Sequence, residues 1–244
     1  MNRFKLTYKQ YGERSILIEW PSKIDKTILE DLIFYKEKLE KSIYKEIIYI
    51  NSAYSSILIS YNSIIENIYD DVLVLKDIYS SEINVIAKPS TLWKIPVCYE
   101  DEFAIDLAAI SSHKKLSKKE IIALHSNAIY TVFFIGFLPG FLYLGGLNKQ
   151  LYVPRKSTPR LHVEKGAVGI GGTQTGIYPD TSPGGWNIIG NSPINFFDCN
   201  KVEPCFAKAG DKIQFYSISK KKYNDISTLV EAGVFQLESE VLHG

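Results

Sequence analysis

Two arginines, Arg155 and Arg160, stand directly after prolines in "LYVPRKSTPRLHVEKG". The fixed φ of proline stiffens the backbone that presents each guanidinium, and a planar fork that stays charged suits a carboxylate or a phosphate. The competing reading is structural: the pair could bridge acids such as Glu164 or Asp180 and hold loops together. His125 closes an amphipathic stretch, "SKKEIIALH", on its apolar side, four residues after Ile121. It is either a satisfied core histidine or a proton donor and acceptor at the mouth of a site. His162, in the alternating "RLHVE", has a weaker claim. The glycine-rich "GAVGIGGTQTGIYP" is not a P-loop, because no GxxxxGK[ST] occurs, and Gln174 stands where a dinucleotide fingerprint needs its third glycine. Its glycines suit tight turns or close backbone approach, or a loop whose N–H groups line an anion site. In "YPDTSPGGWNIIGNSP", Gly184 and Gly185 place Trp186 at the end of a flexible turn. The ring is either buried under its loop or exposed as a substrate lid or a contact for another protein chain.

No cluster of His, Cys, Asp and Glu has zinc spacing, so no metal site is expected. A GxSxG elbow and a Cys–His signature are also missing. Cys98, Cys199 and Cys205 make no CxxC pair and read as small buried hydrophobes.

The elements that must position these residues follow from periodicity. At 244 residues and 45% hydrophobic content, two modest domains are expected. In the first, "FKLTY", "SILIEW", "EIIYI" and "SILISY" alternate as half-buried strands do. Between them Ile28, Leu32, Tyr35 and Leu39 recur at helical spacing behind Asp25, a candidate N-cap. Ile64, Ile68, Val72 and Leu75 predict a second helix, and "INVIA" a closing strand. This order predicts a small α+β domain over residues 1–88, a ferredoxin-like sheet with both helices on one face. "PSTLWKIP" reads as a linker. Residues 89–244 then begin with two short helices, the second opened by a Ser117–Glu120 capping box. Beyond His125, glycine and proline every few residues predict a compact β-rich barrel or sandwich.

"SNAIYTVFFIGFLPGFLYLGGLN", residues 126–148, carries no charge and is long enough to cross a bilayer, which takes roughly 20 mostly apolar residues. Its β-branched and aromatic half, followed by Gly136, Pro139, Gly140, Gly145 and Gly146, instead predicts a buried strand over Tyr130 to Phe137 and a tight turn. Membrane association is therefore not expected. Lys plus Arg number 28 against 27 Asp plus Glu, so no long-range field draws nucleic acid. The amino terminus, "MNRFKLTYKQYGE", lacks the pattern of a signal peptide, which leads to the expectation of a cytoplasmic protein.

Taken together, "GFLPGFLYLGGL", "VPRKSTPR", "GAVGIGGTQTGIYPDTSPGGWNIIGNSP" and "AGDKIQF" resemble the family of the B subunit of bacterial ATP-dependent 5-oxoprolinase, also described as allophanate hydrolase subunit 1 and as the sporulation-kinase inhibitor. "SAYSSILISY" and "WKIPVCYEDEF" also look like family segments, so the resemblance spans both domains. It implies a cyclophilin-like β-barrel after the amino-terminal domain. It also implies a heteromer with the C and A subunits of the 5-oxoprolinase, which opens 5-oxoproline to glutamate with ATP shared among the chains. On that reading Arg155 and Arg160 would be anion clamps and His125 the acid/base group. Gln174 and Tyr178, with Gly136, Pro139 and Gly140, would shape the substrate site, and Gly184, Gly185 and Trp186 would contact the C subunit. The alternative implied is an inhibitor of sensor histidine kinase autophosphorylation. Prolyl isomerase activity would follow from the fold alone, and fold does not carry function. One segment departs from the family: "YEDEFAIDL", Tyr99 to Leu107, stands where "YGGEFGPDL" is usual.

Overall fold

The computed structural model describes residues 4–42, 46–82 and 89–242. The chain divides into two compact units, Met1–Lys88 and Pro89–Gly244.

In the first unit β1 (Thr7–Gln10), β2 (Ser15–Glu19), α1 (Lys26–Lys41), β3 (Ile47–Ser52), β4 (Ser56–Tyr61) and α2 (Ile68–Ser80) follow in order. The sheet is antiparallel, ordered β1-β2-β4-β3. Strands β2 and β3 are thus joined through α1 with β4 between them, a split β-α-β unit. Alternation sends Ile16, Ile18, Ile57 and Ile59 to one face, where they share a core with Leu32 and Tyr35 of α1 and Leu75 of α2. Asp25 caps α1, its carboxylate accepting the Thr27 N–H at 2.7 Å. Helix α2 starts at Ile68 behind an Asn67 cap and not at Ile64, whose side chain stays exposed. The strand expected in "FKLTY" begins only at Thr7. The "INVIA" segment lies outside the described residues.

The second unit opens with β5 (Ser90–Cys98), α3 (Leu107–Lys114), α4 (Lys118–Ser126), β6 (Ile129–Ile135) and β7 (Leu142–Gly145). It continues with β8 (Arg160–Val163), β9 (Ala167–Gly171), β10 (Gln174–Ile177), β11 (Ser182–Gly184) and β12 (Asn187–Asn191), then β13 (Lys212–Ile218), α5 (Lys220–Glu231) and β14 (Ser239–Leu242). Strands β12-β9-β10-β7-β6-β13-β5 form a ring closed by the pairing of Asn191 with Cys98. Strand β13 runs parallel to β5; the other neighbours are antiparallel. A separate ribbon pairs β8 with β11.

The segment expected as a linker is strand β5, buried along most of its length. Neither proline interrupts it: Pro89 precedes the strand, and Pro96 sits within it where β13 runs alongside in parallel. The capping box of α4 is present, Ser117 accepting the Glu120 N–H at 3.2 Å and Glu120 accepting the Ser117 N–H at 2.7 Å. Helix α5 lies beyond "AGDKIQFYSI", the last strand read from the sequence, in a stretch given no element there. Its signals are a Ser219 cap and the helical spacing of Tyr223, Ile226 and Val230, of which Ile226 is buried in the barrel core.

The uncharged run of residues 126–148 is β6, a turn and β7. Strand β6 ends at Ile135, because Phe137 takes a left-handed φ of 69° that no strand continues. Among the described residues no helix is long and apolar enough to cross a membrane. Alternation gives the barrel wall two faces. Leu142, Leu144, Val168, Ile170 and Ile177 point inward to the main core. Their neighbours Phe141, Tyr178, Trp186 and Ile188 belong to a smaller cluster, which Tyr143 packs against.

Candidate functional site

A cavity of about 350 Å³ opens on the outer wall of the barrel, lined by Phe137, Phe141, Tyr178, Trp186, Arg155 and Lys156. Its floor follows from the absence of side chains. A Cβ on Gly171 would lie 2.5 Å from the Trp186 indole nitrogen, and one on Gly176 would lie 3.0 Å from the same ring. Outward-facing glycines on β9 and β10 therefore let Trp186 lie close against the wall, where it is 3% exposed. Phe141 meets it edge-on, with centroids 5.5 Å apart. Gly169, Gly171 and Gly176 of the glycine-rich stretch are the bed on which this ring lies.

The Trp186 ring is buried under its loop, so the exposed aromatic contact expected of it is not what the turn offers. The turn presents Pro183 and the half-buried Gly184 and Gly185 instead. Gly184 is close-fitted, since a Cβ there would lie 2.4 Å from the Tyr178 hydroxyl. Burial raises the pKa of that hydroxyl, partly offset by a hydrogen bond from the Trp186 backbone and by the charge of Arg155.

The two arginines part company. Arg160 donates to Asp106 at 2.7 Å, and its other nitrogen reaches the Trp186 carbonyl at 3.5 Å. Lys156 joins the same carboxylate at 2.8 Å. The acid that Arg160 meets is thus neither Glu164 nor Asp180 but Asp106, which also accepts the Ile188 N–H at 2.7 Å. Burial alone would raise the Asp106 carboxyl, but the hydrogen bonds from Arg160, Lys156 and Ile188 hold it below the ordinary range. With its oxygens engaged in this way, Asp106 makes no side-chain cap at the N-terminus of α3, although it stands at the cap position. Arg160 pins β8 and the tryptophan loop to the start of that helix. Arg155 has no ion pair among the described residues and lies over the Trp186 ring, 5.7 Å from its centroid.

His125 is on the other side of the wall. It is fully buried, stacked on Phe215 at 4.6 Å, with Nδ1 2.8 Å from the Tyr99 hydroxyl and Nε2 2.9 Å from Thr175 Oγ1. Thr175 gives its proton to the Gly169 carbonyl at 2.9 Å, so its oxygen accepts from His125 Nε2–H. Nδ1 then accepts from Tyr99, which fixes a neutral tautomer. Burial pushes the histidine down to about 3. His125 is a satisfied core histidine, and the acid/base role expected of it has no access to this cleft. Because the folded state holds the pKa below the unfolded value of 6.5, the unfolded chain binds more protons between the two values. Stability is therefore expected to fall as pH drops from about 6.5 toward about 3, by up to about 1.4 kcal/mol per unit. Urea titrations across that range should show the slope in the native chain and a shallower one in His125→Gln.

Gln174 faces outward opposite Gly171, is 7% exposed, and its Nε2 lacks a hydrogen-bond partner among the described residues. It does not line the cleft. Nor do Gly136, Pro139 and Gly140, which shape the turn that carries Phe137 and Phe141: Gly140 takes a φ of 83° where a Cβ would lie 2.7 Å from Phe197. Of the residues singled out from sequence, the cleft gathers Arg155, Tyr178, Gly184, Gly185 and Trp186. Sequence reasoning placed the segment from Phe137 to Gly146 beside His125 and the arginines, of which the cleft brings Phe137 to Arg155, and it missed Asp106 and Lys156. His162 forms a surface pair with Glu164, and the three cysteines are free, with Cys199 exposed rather than buried. Among the described residues no group of three or more His, Cys, Asp or Glu is placed to hold a metal.

A closed barrel with an aromatic cleft on its outer wall, preceded in the chain by a small α+β unit, is a two-unit architecture. The chain belongs to the family described as carboxyltransferase domain, subdomain C and D, which it matches over residues 6–207. It is 45% identical over 131 residues to the 5-oxoprolinase B subunit of Bacillus subtilis, a match covering 54% of this chain and 55% of that one. The match thus spans about half the length of that relative. The crystal structure of TTHA0988 superposes with a TM-score of 0.71 at 27% identity, covering 84% of this chain and 40% of that one. The urea amidolyase of K. lactis shares the fold, with a TM-score of 0.82 at 21% identity over 99% of this chain and 16% of that one.

Proposed function

We propose that the chain is the B subunit of an ATP-dependent 5-oxoprolinase, working with its C and A subunits. The observation that carries this reading is the 45% identity to the Bacillus subtilis protein of that name. The chemistry asks for what the cleft offers. A planar lactam is a poor electrophile, and phosphorylating its carbonyl oxygen from ATP supplies a leaving group. Water then adds to that carbon, the ring C–N bond opens, and the resulting acyl phosphate is hydrolysed to glutamate and phosphate. Such steps need fixed positive charge and a site that limits water. Arg155 supplies the first and the aromatic walls the second. Arg160 and Asp106 act at one remove, by holding the loop that carries Trp186. Gln174, whose Nε2 lacks a hydrogen-bond partner among the described residues, is a positioning candidate. The ferredoxin-like label for the first unit and the cyclophilin-like label for the barrel belong to the same reading, as does a cytoplasmic setting in which ATP is at hand. Neither the kinase-inhibitor nor the prolyl-isomerase alternative has an observation in its favour.

The contact with the C subunit is assigned to the 183–185 turn. A Cβ on Gly185 would have its nearest neighbour, the Lys156 carbonyl, at 3.7 Å, an ordinary contact distance, so a Cβ is accommodated there without a clash. Gly185→Arg is expected to fold normally and to lose about tenfold or more in affinity for the purified C subunit, as an interface clash does. Calorimetric titration reads this; unchanged affinity would remove the turn from the interface. The function itself is tested by ATP hydrolysis that depends on 5-oxoproline in a mixture of the three proteins.

A further inference from the structure

We infer that Arg155 is the anion anchor of the cleft, and that the isolated chain binds a small flat-ringed carboxylate there, with Phe137 as one wall. This deepens the proposed function and rests on it for the identity of the ring.

Three observations converge on Arg155. Its backbone is held on both sides: Val153 and Gly172 exchange hydrogen bonds at 3.2 and 2.7 Å, Asn187 Nδ2 donates to the Pro154 carbonyl at 2.9 Å, and Lys156 N–H donates to the Gly185 carbonyl at 2.7 Å. Pro154 fixes a further dihedral. Among the described residues its charge is uncommitted, whereas Arg160 and Lys156 share the Asp106 carboxylate. Its guanidinium lies over Trp186, where an anion could meet it and keep a ring against Phe141 and Tyr178. A backbone fixed before the ligand arrives lowers the entropy lost on binding.

Phe137 is the independent observation. It holds a φ of 69° and is 63% exposed, at the rim of this cleft. A left-handed backbone is costly for a bulky residue, and an exposed phenyl ring gains little from folding. Neither is required by the turn, where glycine would fit better. A ring held over the opening, edge-on to Phe141 at 5.7 Å, makes sense as the wall of an occupied site.

The test is calorimetric titration of the full isolated chain with L-5-oxoproline, with 2-pyrrolidinone, which keeps the lactam ring and lacks the carboxylate, and with ATP. L-5-oxoproline is expected to bind, and 2-pyrrolidinone to bind about tenfold to a hundredfold more weakly, the usual worth of a hydrogen bond to a charged group. Arg155→Gln is expected to weaken L-5-oxoproline by the same factor with an unchanged melting temperature. Phe137→Gly is expected to keep or raise the melting temperature while weakening binding, an opposition that a structural role would not give. No binding to the native chain, equal binding of the two lactams, an Arg155→Gln variant with native affinity, or ATP as the one ligand lost in Arg155→Gln would each overturn the inference. Failure of the three-protein mixture to turn over would not. Binding here with no turnover there removes the proposed reaction and keeps the site; turnover with no binding here does the reverse.

Discussion

Replacing Trp186 by alanine is expected to lower folding stability by about 3–5 kcal/mol, the range for truncating a buried aromatic ring. The ring packs against Phe141 and Tyr143 and lies over the glycine floor of β9 and β10, where nothing can move in to fill its place. Alanine leaves a trough bounded by glycines that carry no side chains to relax into it. The cleft would also lose the surface on which Arg155 rests. Urea unfolding followed by near-ultraviolet circular dichroism measures the loss. A change below about 1 kcal/mol would mean that the ring contributes as an exposed side chain does, and the packing described for it would be wrong.

Asp106→Asn is expected to cost about 3 kcal/mol, because it leaves Arg160 and Lys156 facing each other without their shared carboxylate. The asparagine oxygen can still accept the Ile188 N–H, so the loss is one of charge more than of shape. The sign with pH follows from the depressed carboxyl. Its contribution is fully present above the unfolded value of about 4 and is lost as pH falls through the lower folded value. The variant should therefore differ most from the native chain near neutral pH and converge on it in acid. Thermal unfolding at a series of pH values checks this; a constant difference at all pH values would point to packing instead of charge. A double variant with Arg160→Gln should recover part of the loss, since it removes a cation left unpaired.

Much of the frame could be read locally. Asp25 and the Ser117–Glu120 pair announced helix starts because capping is settled within four residues. The alternation of Ile16 with Ile18 announced a half-buried strand for the same reason. What failed was decided at a distance. Asp106 is 54 residues from Arg160 and 82 from Ile188, so nothing near it in sequence names its partners. The signal was present only as an acid kept in a segment that otherwise departs from its family's pattern. His125 was open as a core histidine or a site residue, with the acid/base role implied by the resemblance; the inward direction of Thr175, 50 residues on, made it a core residue. Trp186, following two glycines, was open to burial or exposure, and local sequence did not decide between them. The glycines that bury it are on other strands, at positions 171 and 176. The left-handed backbone of Phe137 carried no signal, since such a phenylalanine cannot be told from an ordinary one by its neighbours.

The assignment as a whole is met most directly by reconstitution with one component left out at a time. The A and C subunits of the 5-oxoprolinase and this chain are mixed with ATP and L-5-oxoproline, and glutamate and ADP are followed together. The expected result is one glutamate formed for each ADP in the complete mixture, and neither product above background when this chain is omitted. ATP hydrolysis that ignores L-5-oxoproline, or glutamate formed at the same rate without this chain, would contradict it.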